Sequence, residues 1–472
     1  MAGWASLTRL LNEEFTQAVE EGKDTEAVER IRAAFQGGDD SPEAIVRHFS
    51  DLIALEMRPD YEFDEPSDLA GIRRLSTSDS FARIVPIDTT TLFDKLYGAW
   101  LGRCVGCALG KPVEAFMLHH NGLSSWQRQK RFLTAIDESE WPIDGYVPLH
   151  SPAETETGTT WGRGSSRETI RFMETDDDIR YTVLGQLVLQ NYGVDFTSAN
   201  VARTWMERLP YNFMCTAETQ AYRNIVLRWD QLRDQDPSFE KVDPETTVDW
   251  EWTATHLNPY REWIGAQIRI DSYGYACPGD PARAAELAFA DARISHTKNG
   301  IYGAMLCAAM IAAAFTASDA REVVAAGLAQ IPTTSRLYQE LQFTIELCDR
   351  YDNDFDNFEK IIEALYERLD HYNPTHAINN SAVCVAAVLL SQGDFATGIR
   401  FAVMAGWDTD CNGATVGSIV GAMTGAARAP EKWVAPLNDT LNSALAGYHP
   451  IAISECASRS LTIATPELKV AL

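Results

Sequence analysis

The chain has 472 residues, 45% apolar and 23% charged, with a net charge of −27 at neutral pH. That length allows one large core or two to three domains, and the composition is that of a soluble globular protein. So acidic a chain does not offer the clustered Lys and Arg that nucleic acid and anionic membranes require, and neither is an expected partner.

The start, "MAGWASLTRLLNEEF", has no basic segment followed by an apolar run, so no signal peptide is expected. "LTRLLNEEFTQAVEEG", "AVERIRAAF" and "AIVRHFSDLIALEM" then read as three amphipathic helices. A polar link, "RPDYEFDEPSD", follows, and the texture changes near residue 90. Residues 1–85 are therefore expected to form an N-terminal helical module of unassigned role, and 86–472 the main domain. Within the latter, "TLFDKLYGAWLGRCVGCAL" predicts a long helix. Gly110 and Pro112 are expected to stop it, leaving Glu114 at the start of a loop. Residues 115–174, rich in Gly and Pro and containing "GTTWGRGSSR", are expected to run as an extended surface loop with short structured pieces.

Helical patterns resume with "DIRYTVLGQLVLQNY", "PARAAELAFADARISH", "GIYGAMLCAAMIAAAF", "EKIIEALYERL" and "NNSAVCVAAVLLSQG". The third is too short, and too rich in Ala and Gly, for a membrane span. Few alternating segments and no fixed-period repeat are present, so the expected fold is all-α. Nine scattered cysteines do not form a disulfide framework, and a reducing, cytoplasmic setting is expected. "CVGC" at 104–107 lacks a second pair and reads as small-residue packing rather than a metal or redox site. "GRGSSR" at 162–167 lacks the strand and helix that a phosphate loop needs.

Three series of small residues recur at intervals of four: Gly98, Gly102, Gly106, Gly110; Gly413, Gly417, Gly421, Gly425; and Gly300, Ala304, Ala308, Ala312. Residues four apart share one stripe of a helix, so each series is a ridge almost without side chains. Glycine inside a helix costs about 0.5–1 kcal/mol relative to Ala, and close helix–helix approach is the expected compensation.

"TDDDIRYTVLGQL" places Asp176, Asp177 and Asp178 before one helix, and "GWDTDCNGA" places Asp408 and Asp410 at the start of another. Each alone reads as a cap that complements the helix dipole. Facing each other, they would put four or five carboxylates in one pocket, where two charges about 4 Å apart repel by about 4 kcal/mol. Such a cluster takes up protons or binds cations. Oxygen donors without accompanying His favour Mg2+, Mn2+ or Ca2+ over zinc.

"GAWLGRCVGCALGKPVE", "TDDDIRYT", "SHTKNGIYGA" and "GWDTDCNGATVGSIVGAMTG" resemble the ordered motifs of the ADP-ribosylglycohydrolase family, from about residue 92 to beyond 425. The resemblance implies an all-α, multi-helix orthogonal bundle, here with an N-terminal helical appendage. It also implies two Mg2+ ions, with Mn2+ possible, and cleavage of a glycosidic bond at ribose C1″. Asp408 and Asp410 match the paired metal-binding aspartates, whereas Cys411 stands where Ser or Thr is usual. In the first motif, either Asp176 with Asp177, or Asp177 with Asp178, takes the two carboxylate positions. By the resemblance, Glu114, Asp177 and Asp408 carry catalysis, and Asp176, Asp177, Asp178, Asp408 and Asp410 hold metal. His296, Asn299, Asn379, Asn380 and Gly413 are the expected substrate contacts, with capping an equal reading for the asparagines 379 and 380. The implied substrate is ADP-ribosylated protein or a small ribosyl metabolite. Alternatives are a non-catalytic binder that keeps the pocket and a metal-dependent phosphohydrolase.

Overall fold

The computed structural model describes residues 5–77, 87–162, 164–239 and 241–465. The fold is all-α. Among the described residues a single small sheet pairs Thr440–Leu441 antiparallel with Ile451–Ala452. No helix among them is long and apolar enough to cross a membrane.

The three expected N-terminal helices are Leu7–Glu20, Thr25–Gln36 and Pro42–Ile53. Leu11, Phe15, Val28, Ile45, Phe49 and Leu52 bury one face of each in a small core of their own. A fourth helix, Leu69–Leu75, capped by Asp68, follows the polar link. Sequence periodicity did not find it, because seven residues contain too few turns to show a period.

The main core is organised by two helices, Thr89–Glu114 and Thr409–Thr424. They run antiparallel with glycine on glycine: Gly98 meets Gly421, Gly102 meets Gly417, and Gly106 meets Gly413. A Cβ added at Gly102 would lie 2.0 Å from the Gly417 carbonyl oxygen, and one added at Gly417 would lie 2.0 Å from that of Gly102. The two backbones therefore touch, which no other residue type permits. Gly110 continues the series against Thr409, whose hydroxyl donates to the Gly110 carbonyl at 2.8 Å. Gly425 instead ends its helix at φ 78°. The third series lies in the helix Lys298–Ala314 and is wholly buried. It meets no glycine ridge: Gly300 lies against the Arg261 carbonyl, and the Ala308 carbonyl lies against Gly274.

The antiparallel zipper sets the site. Its last contact brings the C-terminal turn that carries Glu114 against the N-terminal turn that carries Asp408 and Asp410. That turn also corrects the expected helix stop, since the helix runs through Gly110 and Pro112 to Glu114. A proline removes one helical hydrogen bond, but here the tight partner helix holds the final turn in place. Residues 115–174 contain a helix at Ser125–Thr134 and short turns, and the remainder is irregular.

Candidate metal centre

The helix Asp177–Tyr192 begins in a web of counter-charges. Asp176 is its N-cap, and its carboxylate accepts from the Asp178 N–H at 3.2 Å. Lys111 reaches from the glycine helix to Asp176 at 2.8 Å and to the Thr175 carbonyl at 2.7 Å. Arg103, wholly buried on the same helix, donates to the Asp178 carbonyl at 2.7 Å and to the Ile268 carbonyl at 2.8 Å. It also pairs with the Asp178 carboxylate at 3.4 Å and with Asp271 at 2.9 Å. One helix thus supplies two of the cations that hold this acidic turn, and Arg180 adds a third by donating to the Thr175 hydroxyl at 3.1 Å.

Asp408 is presented by a strained turn. Gly406 has φ 81° and Trp407 φ 54°. For tryptophan the left-handed region costs about 1–2 kcal/mol. Packing holds it there: the indole stacks on Tyr366 with centroids 4.3 Å apart and its N–H donates to Asp370 at 3.3 Å, while the Trp407 backbone N–H donates to the Ser125 hydroxyl at 3.0 Å. Such strain is a feature of functional turns. The Asp408 side chain makes no capping bond to its helix, and its N–H donates to Asn380 Oδ1 at 3.3 Å.

The two acidic turns and Glu114 converge. Donor atoms lie within 4.8 Å of one another in four overlapping sets: Glu114, Asp408, Asp410; Asp178, Asp410, Cys411; Asp176, Asp177, Asp178; and Cys107, Asp176, Asp410. Glu114, Asp177, Asp178, Asp408, Asp410 and Cys411 face one cavity of about 410 Å³. Met117, Leu118, Trp161, Cys215, Trp263 and Ile264 form much of the remaining wall. Burial, reinforced by the neighbouring carboxylates, pushes Asp177 up to about 7 and Glu114, Asp178 and Asp410 well above the usual carboxylate range. Burial is the largest influence on Asp176 too, but the Lys111 ammonium, the Asp178 N–H and the nearby Arg180 together hold that carboxyl below the usual range. A dense set of carboxylate oxygens that resist ionising together is a donor set suited to hard divalent cations. The Cys411 thiol, 3.2 Å from Asp178 Oδ2, adds one soft donor.

The other expected substrate contacts lie elsewhere. His296 hydrogen-bonds Ser295 at 2.8 Å and borders a separate cavity beside the N-terminal module. Asn299 donates to Glu65 and Glu262, each at 2.8 Å, and accepts from the Leu337 N–H. Gly413 is spent on the contact with Gly106. Asn379 donates to the Asn373 carbonyl at 3.2 Å. Asn380 stands behind the site: it receives the Asp408 N–H and the Asn412 amide at 2.8 Å, and donates to the carbonyls of Pro374 and His376. Sequence reasoning missed Lys111, Arg103, Trp161 and Cys215, and it assigned Cys107, which lies against Asp176 and Asp410, to packing alone. Lys111 sits inside a quoted motif, and its proximity to Glu114 was the available signal. Arg163 of "GRGSSR" lies outside the described residues.

A family profile for ADP-ribosylglycohydrolase matches residues 88–460. Among solved structures, the chain is similar to an "ADP-ribosylglycohydrolase-related protein complex", with a TM-score of 0.46 and 16% identity, covering 78% of this chain and 98% of that one. No curated protein sequence matches. The matched stretch opens at the N-cap of the first glycine helix, takes in both acidic turns and Glu114, and leaves out the three N-terminal helices. On that match the chain belongs to the ADP-ribosylglycohydrolase family, whose members are hydrolases of ADP-ribosyl glycosidic bonds.

Proposed function

We propose that the protein is a metal-dependent hydrolase that cleaves the glycosidic bond at ribose C1″ of an ADP-ribosyl or related ribosyl substrate. The observation that carries this reading is the convergence of Glu114 with two acidic helix starts in one cavity. Asp177, Asp178, Asp408 and Asp410 would hold divalent cations, Mg2+ or Mn2+. Asp176 contributes less to binding, because Lys111 already neutralises it. Ions bound there supply Lewis acidity at the ribose and at the attacking water.

The chain's own groups do the rest. Glu114, across from Asp408 and Asp410, orients the water. Lys111 and Arg103 keep the Asp176–Asp178 turn in register. As positive charge develops at C1″ toward an oxocarbenium ion, the surrounding carboxylates stabilise it. Trp161, half exposed on the long loop, and Trp263, buried in the wall, line the same cavity and would offer apolar surface to the base or aglycone of a ribosyl substrate.

The test is incubation with Mg2+ or Mn2+ and a panel of ADP-ribosylated proteins, ADP-ribosyl metabolites and simple ribosides. Release of a free ribosyl product, lost in D408A and D410A, is the expected result. Release of phosphate instead would make the protein a phosphohydrolase. Absence of turnover, with ADP-ribose still bound, would make it a binder.

A further inference from the structure

Arg261 and Glu262 are adjacent, charged and fully buried. Arg261 is gripped by the first N-terminal helix and the residue after it. Its guanidinium meets Glu14 through two bonds of 2.6 and 2.8 Å and Glu21 through one of 2.7 Å. Glu262 accepts from Gln17 of the same helix at 2.7 Å, from Arg336 at 2.7 and 2.9 Å, and from Asn299 at 2.8 Å. Leu10, on that helix too, packs in one cluster with Tyr260 and Trp263. The backbone is tied on both sides, since the Thr297 N–H donates to the Arg261 carbonyl and the Ala377 N–H to that of Glu262, each at 3.0 Å.

The next three residues, Trp263, Ile264 and Gly265, form a wall of the acidic cavity. Ile264 donates to the carbonyl of Thr375, another wall residue, at 2.8 Å. Gly265 abuts the Glu218 carboxylate, where a Cβ would approach to 2.3 Å, so this point of the wall is filled without a side chain. Buried ion pairs add little net stability over an apolar contact, but breaking one by removing a partner is costly. Here they join a module outside the family match to the back of the site.

We propose that the N-terminal helical module is a structural part of the active site: through Leu10, Glu14, Gln17 and Glu21 it fixes Arg261 and Glu262, and through them the Trp263–Gly265 wall against which the organic part of the ligand rests. Arg261 and Glu262 are positioning residues. The acidic side chains that would hold metal stand on other segments, so ion and organic ligand are held by separable parts. The proposal rests on the reading above for the choice of ADP-ribose as ligand.

Truncating Arg261 would leave the buried Glu14 carboxylate without its guanidinium partner, so the milder variants L10A and E14Q of the full chain are the test. Hydrogen exchange should rise in peptides covering 258–269 and 373–378, but not in the glycine helix at 98–110. The Kd for ADP-ribose in saturating Mn2+ should rise roughly tenfold, equivalent to about 1.4 kcal/mol. The Kd for Mn2+ itself should not change. Unchanged exchange at 258–269, an unchanged ADP-ribose Kd, or a parallel loss of Mn2+ affinity would each overturn the proposal. A wild-type protein that binds Mn2+ but not ADP-ribose would sink the substrate reading instead, and exchange alone would then decide the positioning.

Discussion

Cys411 stands where the resemblance to the family leads one to expect Ser or Thr, and its neighbours define its surroundings. Its sulfur lies 3.2 Å from Asp178 Oδ2, and it shares a donor set with Asp178 and Asp410. Burial and the surrounding carboxylates push the thiol well above its usual range, so it stays protonated and donates to Asp178. A thiol is a poor ligand for Mg2+ and a tolerable one for Mn2+ or Co2+. The C411S variant should therefore bind Mg2+ more tightly than the wild type, by about tenfold, the lower end of what changes around metal ligands produce. Isothermal titration with Mg2+ and Mn2+ measures this, and identical Mg2+ affinities would place Cys411 outside the coordination. This residue was legible because it sits inside a contiguous motif, as do Asp408 and Asp410. Lys111 and Arg103 were not, because each acts on a turn more than sixty residues away and nothing in local spacing announces the pairing. His296 and Asn299 show the converse. Their motif was visible, yet the fold commits them to Ser295 and to Glu65 and Glu262 instead of the cavity.

At the level of elements, the glycine ridges were legible as ridges, and their period of four predicted close approach. Which ridge meets which was not. The answer is an antiparallel match of the first and second series, while the third packs against unrelated segments. The pairing carries a sharp expectation. In G417A the new methyl would lie 2.0 Å from the Gly102 carbonyl oxygen, on a rigid backbone rather than on the tip of a side chain. Overpacking typically costs about 1–3 kcal/mol, and this position belongs at the top of that range or above it. Because the same contact sets the distance from Glu114 to Asp408, Mn2+ affinity should fall together with stability. In G37A, by contrast, the added Cβ meets the Ala33 carbonyl oxygen at an ordinary 3.5 Å, and stability should stay within about 0.5 kcal/mol. Urea denaturation of both variants makes the comparison. Equal stabilities would mean that the two helices are not in backbone contact.

For the whole molecule, the net charge of −27 is less telling than where the acid is concentrated. The metal-free protein keeps several carboxyls neutral that would ionise in the unfolded chain. Asp177 is raised from 3.8 to about 7 by burial and by Asp176, and Glu114, Asp178 and Asp410 are raised further. A carboxyl with a raised folded-state pKa contributes stability that is fully present below its unfolded value and is lost as pH rises through the folded one. Asp176 acts in the opposite sense, since Lys111 holds it ionised. The raised group is the larger, so in EDTA the melting temperature should fall between about pH 5 and 8. Outside the site, Glu14, at about 7, and Glu20, at about 8, push in the same direction, so EDTA data alone do not isolate the cluster. The difference between metal-loaded and metal-free protein does, because those groups are common to both. Cations compete with protons for the carboxylates, so the stabilisation by Mn2+ should be small near pH 5 and grow toward pH 8. At a hundred times its Kd, one bound ion contributes about 2.7 kcal/mol. Differential scanning calorimetry at matched ionic strength reads it directly. A metal-induced shift that is flat across this range, or one that survives D408A and D410A, would mean that the ions bind somewhere other than the converged acidic turns.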